Sequence, residues 1–425
     1  MLIKDLSELS QREVEDLMKR GDPGDLKDAV LPIIEEVRER GDDAVREYTR
    51  RFDSAEVIEI AVTREEMRES LRAIDQRLLE HLQKAASKIR EFHEEEKASE
   101  WYREISEGIT LGQKITPFKR VGAYVPGGRA AYPSTALMTI IPAKVAGVSE
   151  VVVCTPPRPD AKIHPATLAA CQIAGADQVF KVGGVQAIAA MAYGTDTIPR
   201  VDKIVGPGNA YVTTAKRMVR DECEIDFPAG PSEVLIIADE RAKPGNVAWD
   251  MLAQCEHDPR AIAVLTTTSP RLAAEVEEVI NSEIKNCERR EIITESLKHS
   301  AILKAKTLDE CIRFSNNFAP EHLQIITKDP EEVLERIEHA GSIFIGNNTP
   351  AAAGDYASGT NHVLPTAGHA MRHSGLNTDH FTKKTTIQII NKKGLRALKE
   401  TITTLAEAEG LFAHAKAIQA RFEEE

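Results

Sequence analysis

The chain has 425 residues, of which 42% are hydrophobic and 28% are charged, a composition typical of a soluble globular protein with two or three packed cores. Its formal net charge is −13, which argues against nucleic acid or an anionic membrane surface as a partner. The sequence contains no run of about 18 apolar residues, which excludes a membrane-spanning helix.

Residues 1 to about 105 are dense in charge and predict amphipathic helices. Apolar residues recur at helical spacing over 32–52 and again over 64–96. The charged faces of such helices are typical of solvated surface. A linker-like turn is predicted near Glu107-Gly108, where the pattern changes.

From about 120 to 237, short apolar runs alternate with helical patterns. Strands are predicted at 120–126, 150–154, 178–182, 203–205 and 233–239, and helices at 164–175, 185–194 and 209–219. Strands that alternate with helices of this length form right-handed βαβ units and a mostly parallel sheet.

A second alternation of the same kind follows. Strands are predicted at 261–268, 301–306, 322–327 and 342–347, and helices at 247–257, 270–284, 308–318 and 330–340. This region is a second α/β domain, and periodicity leaves open whether the segment before 120 joins it. The tail, 394–425, is helical with a break at Glu409-Gly410. Because a short amphipathic tail cannot bury its apolar stripe alone, we expect it to pack on another domain or another chain.

One helix carries polar residues beside its apolar stripe. With Asn246 as N-cap, the segment 247–257 places Gln254 within the stripe and His257 at its edge. Desolvating an unpaired polar side chain costs roughly 1–3 kcal/mol. The pair is therefore either satisfied by neighbouring backbone or is half of a metal site.

Glycine-rich loops follow three strands of the first α/β domain. The loops are PGGRAAYPST (126–135), GGVQAIA (183–189) and GPGNAY (206–211). Backbone N–H groups at the start of a helix can bind phosphate, although GPGNAY lacks the third glycine of a dinucleotide fingerprint. If the three loops lie at one edge of one sheet, they form a ligand crevice.

Two further segments carry candidate chemistry. In NFAPEHLQ (317–324), Glu321 and His322 could move protons at neutral pH, but adjacent strand residues share a site only if the loop curls. In GDYASGTNHVLPTAGH (354–369), Asp355 would complete an oxygen and nitrogen donor set with Gln254 and His257 that suits zinc. The candidates for a fourth, nitrogen ligand are His362, His369, His373, His380 and His414.

Cys255 is either a thiol nucleophile for oxidising an aldehyde or a buried structural residue. It lies on the apolar stripe of its helix, which favours the structural role. The six cysteines form no CxxC pair, and the N-terminal MLIKDLSELS lacks the apolar core of a signal peptide. We therefore expect a cytoplasmic location.

Eight sequence runs together carry a family resemblance from end to end of the chain. They are VGAYVPGGRAAYPS, GGVQAIAAMAYGT, VDKIVGPGNAYVTTAK, DFPAGPSEVLIIAD, AQCEHDP, FAPEHL, GSIFIGNNTPAAAGDYASGTNHVLPT and TLAEAEGLFAHAKA. In this order they resemble the histidinol dehydrogenase family. That resemblance implies conversion of L-histidinol to L-histidine in two NAD-dependent oxidations through an aldehyde, with one bound zinc per subunit.

The resemblance also implies roles for particular positions. Zinc would be held by Gln254, His257, Asp355 and His414, and Glu321 and His322 would be the catalytic acid–base pair. Substrate contacts would come from Ser232, Gln254, His257, His322, Asp355, His362, Glu409 and His414, and NAD contacts from Tyr124, Gln186 and Asn209. The family is a homodimer, so His414 and Glu409 would act in the site of the partner subunit. His322 would take the alcohol proton, and Glu321 would activate water to hydrate the aldehyde.

The predicted fold class is α/β, with two doubly wound, incomplete Rossmann-like domains with parallel sheets (aldehyde-dehydrogenase-like) and helical N-terminal and C-terminal arms. The predicted regions are a helical arm (1–25), a zinc and acid–base domain (26–119 with 238–375), an NAD domain (120–237) and an exchanged C-terminal helical arm (376–425). Two other functions compete: a zinc-dependent hydrolase of an imidazole or amino-acid derivative, and a non-catalytic ligand-binding protein.

Overall fold

The computed structural model describes residues 1–18, 26–127 and 131–423. The strands in these ranges are β1 (Leu2–Asp5), β2 (Trp101–Ser106), β3 (Ile109–Pro117), β4 (Arg120–Tyr124), β5 (Glu150–Thr155), β6 (Gln178–Lys181), β7 (Lys203–Val205), β8 (Glu224–Ile225), β9 (Glu233–Ala238), β10 (Ile262–Thr267), β11 (Ala301–Lys304), β12 (His322–Ile326), β13 (Ser342–Ile345) and β14 (Thr382–Ile390). The α-helices are α1 (Gln11–Met18), α2 (Lys27–Arg40), α3 (Asp42–Asp53), α4 (Arg64–Ala73), α5 (Gln76–Glu95), α6 (Pro133–Val145), α7 (Pro165–Ala174), α8 (Gly184–Tyr193), α9 (Ala210–Met218), α10 (Pro244–Cys255), α11 (Pro270–Glu283), α12 (Arg290–Leu297), α13 (Leu308–Phe318), α14 (Pro330–Leu334), α15 (Ala351–Tyr356), α16 (Lys392–Ala408) and α17 (Phe412–Gln419).

The chain divides into two compact units. The first unit comprises Met1–Glu96 and Phe118–Phe381, and the second comprises Lys97–Pro117 and Thr382–Glu425. Along the described ranges, no helix is both long enough and apolar enough to cross a bilayer.

The first unit contains two parallel sheets, as the alternation of strands and helices predicts. One has five strands in the order β6-β5-β4-β7-β8. From β4 the chain winds first toward β6 and then returns to β7 on the other side, so the direction of winding switches between β4 and β7. In such sheets a crevice opens outside the carboxyl ends of the strands at this switch point. The predicted α/β class with parallel sheets is confirmed.

The other sheet has six strands in the order β1-β11-β10-β9-β12-β13, and its neighbouring strands pair in parallel. The sequence predicts the strand at 233–239 as the last strand of the first alternation and an NAD domain that ends at 237. That assignment is wrong, because β9 lies in the middle of this second sheet. The error has a physical source: a strand that is buried on both faces reads as the same apolar run in either sheet.

The N-terminal segment also differs from its prediction as a helical arm. Leu2–Asp5 form β1, which extends the six-stranded sheet by pairing with Ala301–Lys304. Among the described residues of the arm, Leu6–Glu8 form a 3₁₀ turn and Gln11–Met18 form α1. The rest of that predicted arm, 19–25, lies outside the described residues. Strand pairing at a sheet edge is a tertiary contact, so it overrides the local helical pattern.

The charged helices α2 to α5 pack on the side of the five-stranded sheet, whereas α1 places Leu17 in the core of the six-stranded sheet. Val30 and Val37 of α2 share a core with Ile188 and Met191 of α8. Leu82 and Ile89 of α5 share another core with residues of α6. The predicted grouping of 26–119 with 238–375 therefore does not hold for these helices, because amphipathic spacing reports which face is buried but not against which partner.

The second unit is built from an antiparallel sheet and two helices. Its strand order is β14-β3-β2, and β14 pairs with β3 along its full length from Thr382–Pro117 to Ile390–Ile109. The C-terminal region is therefore not purely helical, although α16 and α17 break at Glu409-Gly410 as predicted. β2 also replaces a predicted helical end near residue 105.

Candidate active site

Helix α10 brings the first two candidate ligands to the site. It begins at Pro244 with Lys243 as N-cap, earlier than predicted, and ends at Cys255. Gln254 therefore lies in the last helical turn, and His257 follows the helix with its N–H directed to the Gln254 carbonyl at 3.3 Å. Gln254 is buried, and its Nε2 has no hydrogen-bond partner among the described residues.

The acid–base candidates lie at the amino end of β12. His322 is the first residue of that strand and Glu321 precedes it, and both are only 4% exposed. The Nδ1 of His322 lies 3.5 Å from Oε2 of Glu321, so the two side chains do serve one site. The preceding Ala319 has a left-handed φ of 47°, which provides the curl in the loop.

Glu233 holds this pair and was not predicted from the sequence. It is the first residue of the neighbouring strand β9; its N–H donates to Oε2 of Glu321 at 2.7 Å, and its carbonyl oxygen lies 3.1 Å from Nδ1 of His322. Its own carboxylate accepts the N–H of Ala367 at 2.8 Å. The sequence feature that could have identified it is a glutamate immediately before an apolar run, because a buried acid normally has a partner.

Asp355 meets the same imidazole from the opposite side. It lies on the short helix α15 and not in the glycine-rich loop that the sequence suggested. Its Oδ1 is 3.3 Å from Nε2 of His322, and its carbonyl oxygen is 2.9 Å from Nδ1 of His362. Nε2 of His362 in turn lies 3.3 Å from Oγ1 of Thr135 on α6. The aspartate therefore links two histidines of the site.

Burial and charge set the protonation of these groups. Burial alone would lower the pKa of His322, but the flanking carboxylates of Glu321 and Asp355 outweigh it and hold that pKa well above its usual value. Burial raises the pKa of Glu321. Burial would also raise the pKa of Asp355, but the neighbouring imidazole lowers it. Burial lowers the pKa of both His257 and His362, which favours their neutral form.

These side chains line one cavity of about 580 Å³. The predicted site residues that line it are Tyr124, Asn209, Ser232, Gln254, His257, Glu321, His322, Asp355 and His362. They come from both sheets of the first unit, so the structure gathers residues that are as far apart in the sequence as Tyr124 and His362. Gln186 is fully buried and does not line the cavity wall.

The glycine-rich loops lie at the carboxyl ends of parallel strands, as predicted. Gly206 follows β7 with a φ of 113°, and a side chain there would begin 2.2 Å from the carbonyl oxygen of Tyr124, at the end of β4. Only glycine permits this close approach at the switch point. Asn209 caps α9 by accepting the N–H of Val212 at 3.1 Å. Of the loop 126–135, residues 128–130 lie outside the described residues.

A buried ion pair supports the loop after β7, and it was also missed from the sequence. Lys216 donates to the carbonyl oxygen of Gly206 at 2.9 Å and to Asp226, and Asp226 accepts the N–H of Gly206 at 2.8 Å. The two charged side chains are 4% and 1% exposed. The pair therefore fixes both backbone polar groups of the glycine.

The remaining candidates for a metal ligand or a substrate contact lie in different parts of the structure. Among the described residues, no three histidine, cysteine, aspartate or glutamate side chains are clustered so as to hold a metal ion. His369 lines the cavity, whereas the rings of His373 and His380 lie 6.3 Å and 5.9 Å from the ring of Phe227. Glu409 and His414 belong to the second unit.

Cys255 is a core residue, as its place on the apolar stripe predicts. Its side chain is buried, its Sγ lies 3.6 Å from Oγ of Ser300, and burial raises the pKa of the thiol. A thiol of that kind is a poor nucleophile because little of it is ionised at neutral pH. The six cysteines are free.

Comparison with known proteins identifies the family. The family model for histidinol dehydrogenase matches residues 18–422. The histidinol dehydrogenase of Methanosarcina mazei is 57% identical over 424 residues, covering 99% of this chain and 98% of the relative. That of Methanocaldococcus jannaschii is 51% identical over 426 residues, covering 99% of both. The crystal structure of histidinol dehydrogenase from Elizabethkingia anophelis matches with a TM-score of 0.95 at 38% identity, covering 100% of this chain and 98% of the other. The chain therefore belongs to the histidinol dehydrogenase family of oxidoreductases.

Proposed function

We propose that the chain oxidises L-histidinol to L-histidine in two successive steps through L-histidinaldehyde, with NAD as the hydride acceptor. The observation that carries this proposal is the convergence of Glu321, His322 and Asp355 on a cavity that also meets the glycine-rich loops after β4 and β7. Proton-transfer groups beside a nucleotide crevice are what a dehydrogenase requires. Membership of the histidinol dehydrogenase family supports the choice of substrate.

The chemistry of the cavity suits L-histidinol, which has an imidazole, an ammonium group and a primary alcohol. Asp355 has a lowered pKa and therefore stays ionised, so its carboxylate can accept a hydrogen bond from the substrate amine that zinc would hold. Ser232 and the neutral His362 add groups that can exchange hydrogen bonds with the substrate. Glu409 and His414 would add contacts from the second unit of the partner subunit.

We propose that one zinc ion per subunit is held by Gln254, His257, Asp355 and His414. Three of these residues line the cavity, and the unpartnered amide of Gln254 and the neutral His257 fit ligands of a metal. Asp355 supplies the anionic oxygen that zinc accepts. When bound, zinc would hold the imidazole and amine of the substrate and so fix the position of its alcohol carbon.

The first oxidation needs a base for the alcohol proton, and we assign it to Nε2 of His322. Donation from Nδ1 to the carbonyl oxygen of Glu233, 3.1 Å away, selects the tautomer in which Nε2 can accept that proton. Asp355 is one of the two carboxylates that raise the pKa of His322, and a zinc ion held by Asp355 would offset its charge, so that the imidazole would be neutral and able to act as the base. The hydride leaves the alcohol carbon while the proton leaves the alcohol oxygen. NAD, for which Tyr124, Gln186 and Asn209 are the proposed contacts, supplies the hydride acceptor in both steps.

The second oxidation needs water, and we assign its activation to Glu321. Burial raises the pKa of this carboxyl, which makes it a stronger base when it is ionised. It accepts a proton from the water that adds to the aldehyde carbon, while His322 gives the proton that it took in the first step to the aldehyde oxygen, which completes the diol. The diol loses its hydride to a second NAD as one hydroxyl gives its proton to the now neutral His322. The carboxylic acid that results loses its proton to solvent, which leaves the carboxylate of L-histidine.

We further propose a homodimer in which the second unit of each chain completes the site of its partner. The second unit exposes Trp101, Ile105, Ile389, Leu405 and Phe412, whose exposed fractions are 43%, 61%, 59%, 59% and 73%. Large apolar side chains that are left exposed favour burial against another chain. Such an arrangement would carry His414 and Glu409 to the partner's cavity, and it corresponds to exchange of a C-terminal arm.

Absorbance at the NADH band tests the proposal. Purified protein is mixed with NAD and L-histidinol before and after chelation, and then after zinc is restored. We expect two NADH for each L-histidinol consumed, loss of turnover on chelation and recovery with zinc. Substrate turnover without NAD would instead favour the zinc-dependent hydrolase.

A further inference from the structure

The carboxylate of Asp53 has no hydrogen-bond partner in the described chain. Asp53 is the last residue of α3, and its Oδ2 is buried without a hydrogen bond. Burial raises the pKa of this carboxyl from its usual 3.8 to about 6, and no charge among the described residues counteracts it. An anion at the carboxyl end of a helix is also disfavoured by the helix dipole. The position therefore calls for a ligand that donates hydrogen bonds.

A second side chain in the same region has unused hydrogen-bonding groups. Gln186 is the third residue of α8 and is 0% exposed. Neither its Nε2 nor its Oε1 has a partner among the described residues. A buried amide normally satisfies at least one of these atoms within the protein, so the pair of free atoms indicates a place where a polar ligand enters.

Tyr124 connects the two groups: it contacts Gly184, beside Gln186 at the start of α8, and its phenol is near enough to Asp53 to respond to that charge. The Gly184 N–H donates to Oη of Tyr124 at 3.1 Å, and the Gln186 amide oxygen lies 2.8 Å from where a side chain on Gly184 would begin. The carboxylate of Asp53 is close enough to add to the effect of burial in raising the pKa of Tyr124 to about 12. Helix α3 packs directly on α8.

This set of groups has a definite ligand chemistry. A carboxylate accepts two hydrogen bonds, an amide both donates and accepts, and the phenol of Tyr124 can still donate its own proton. Vicinal hydroxyls of a ribose match that set, and a carboxylate is the group that other dinucleotide sites use for a ribose 2′-hydroxyl. A 2′-phosphate would instead place a second anion against Asp53.

We infer that Asp53, together with Gln186 and Tyr124, binds the ribose hydroxyls of NAD and selects against a dinucleotide with a 2′-phosphate. This inference rests on the proposed use of NAD and adds Asp53 as a specificity-determining residue. The hydroxyls of one ribose would supply the hydrogen-bond partners that Asp53 and Gln186 lack in the described chain. The substrate end of the cavity, around His322, plays no part in it.

The test is Asp53→Asn, which keeps the size of the side chain and removes its charge. Asp43→Asn on the same helix is the matched control, since that carboxylate is 84% exposed. Initial rates with NAD and with NADP are measured for both variants and the unmodified protein, and binding of NAD and ADP-ribose is measured by calorimetry. We expect Asp53→Asn to raise the KM and the Kd for NAD by about tenfold, the size expected for a hydrogen bond to a charged group.

The preference for NAD over NADP, as a ratio of kcat/KM values, should fall by about tenfold or more in Asp53→Asn, and the KM for L-histidinol should not change. The control should retain the original preference. An unchanged preference and an unchanged Kd in Asp53→Asn would overturn the inference. If the unmodified protein makes no NADH from L-histidinol, the proposed function fails, while calorimetry with NAD and ADP-ribose still decides the role of Asp53.

Discussion

The backbone N–H of Glu233 donates a hydrogen bond to Oε2 of Glu321 across 2.7 Å, where β9 and β12 begin side by side. The carbonyl of the same residue faces Nδ1 of His322 at 3.1 Å. A single strand end therefore orients both members of the acid–base pair. Because Gln324 on β12 donates to Asp250 on α10 at 2.8 Å, the helix that carries Gln254 is tied to the same strand.

Replacing Glu321 by Gln should slow the second oxidation far more than the first. Glutamine still accepts the N–H of Glu233 but cannot take a proton from water, so we expect oxidation of L-histidinaldehyde to fall by about 10²-fold or more. Single-turnover rates started from L-histidinol and from L-histidinaldehyde separate the two steps. Glu331→Gln, on the surface helix α14, is the control, and an intact aldehyde step in Glu321→Gln would refute the assignment.

Replacing His322 by Asn should slow both oxidations. Asparagine can donate to the carbonyl of Glu233 but supplies no base in place of Nε2, so we expect each step to fall by about 10²- to 10⁴-fold. The same single-turnover measurement checks this outcome. His299→Asn, at a residue that does not line the cavity, should leave both rates unchanged. Rates equal to those of the unmodified protein in the His322 variant would show that another group takes the alcohol proton.

A mixture of two inactive variants tests whether the second unit acts in the partner subunit. We expect His414→Ala to lose zinc and activity, and His322→Asn to lose activity alone. If dissociated chains of the two kinds are recombined at random, half of the dimers are mixed and each mixed dimer has one intact site, so activity should return to about a quarter of the original. The readouts are NADH formation and zinc content of the gel-filtered dimer.

The same mixture also reveals the opposite arrangement, in which each second unit completes the site of its own chain. If each second unit served its own chain, no site in the mixed dimer would hold both His322 and His414, and no activity would return. Recombining His414→Ala with unmodified chains at random is the reference: a quarter of the dimers are unmodified and half have one intact site, so activity should be about half of the original.

Breaking the ion pair beneath the glycine loop should cost much of the stability. Lys216→Met leaves Asp226 charged and buried at 1% exposure, so we expect the free energy of unfolding to fall by about 3–5 kcal/mol. Lys298→Met removes an exposed pair, whose lysine side chain is 62% exposed, and should change stability by less than about 1 kcal/mol. Urea denaturation of both variants measures the difference; similar losses would contradict the role of burial.

The unpaired Asp53 should make stability depend on pH. Its pKa is raised from 3.8 to about 6, so the folded chain binds the proton more tightly than the unfolded chain. The stability that this proton contributes is complete below pH 3.8 and is lost as the pH rises through about 6. Asp53→Asn should therefore match the original protein at low pH and exceed it above pH 6 by on the order of 1 kcal/mol, since the group is partly exposed. Melting curves without NAD from pH 4 to 8 check this, with Asp43→Asn as the control.

Local patterns in the sequence were sufficient for most of the helices and strands. Periodicity predicted β10 to β13 and α7 to α9, because burial imposes an apolar repeat that the sequence must carry. It could not predict β1, which exists only because Leu2–Asp5 pair with Ala301–Lys304. It also assigned β9 to the wrong sheet, since an apolar run records burial but not the identity of the neighbouring strand.

The candidate site divides in the same way. The side chains of Gln254 and His257 are near each other in any chain with this helix, and the sequence motifs alone indicate the histidinol dehydrogenase family. That Asp355 lies 3.3 Å from His322, and that Glu233 orients the acid–base pair, depends on how strands far apart in the sequence are arranged. The sequence by itself determined which residues have the chemistry to act, because donor atoms and apolar periods belong to the residues themselves. Only the tertiary structure decided which of them meet and which, like Asp53, are left without a partner, because contact and desolvation arise from packing between distant segments.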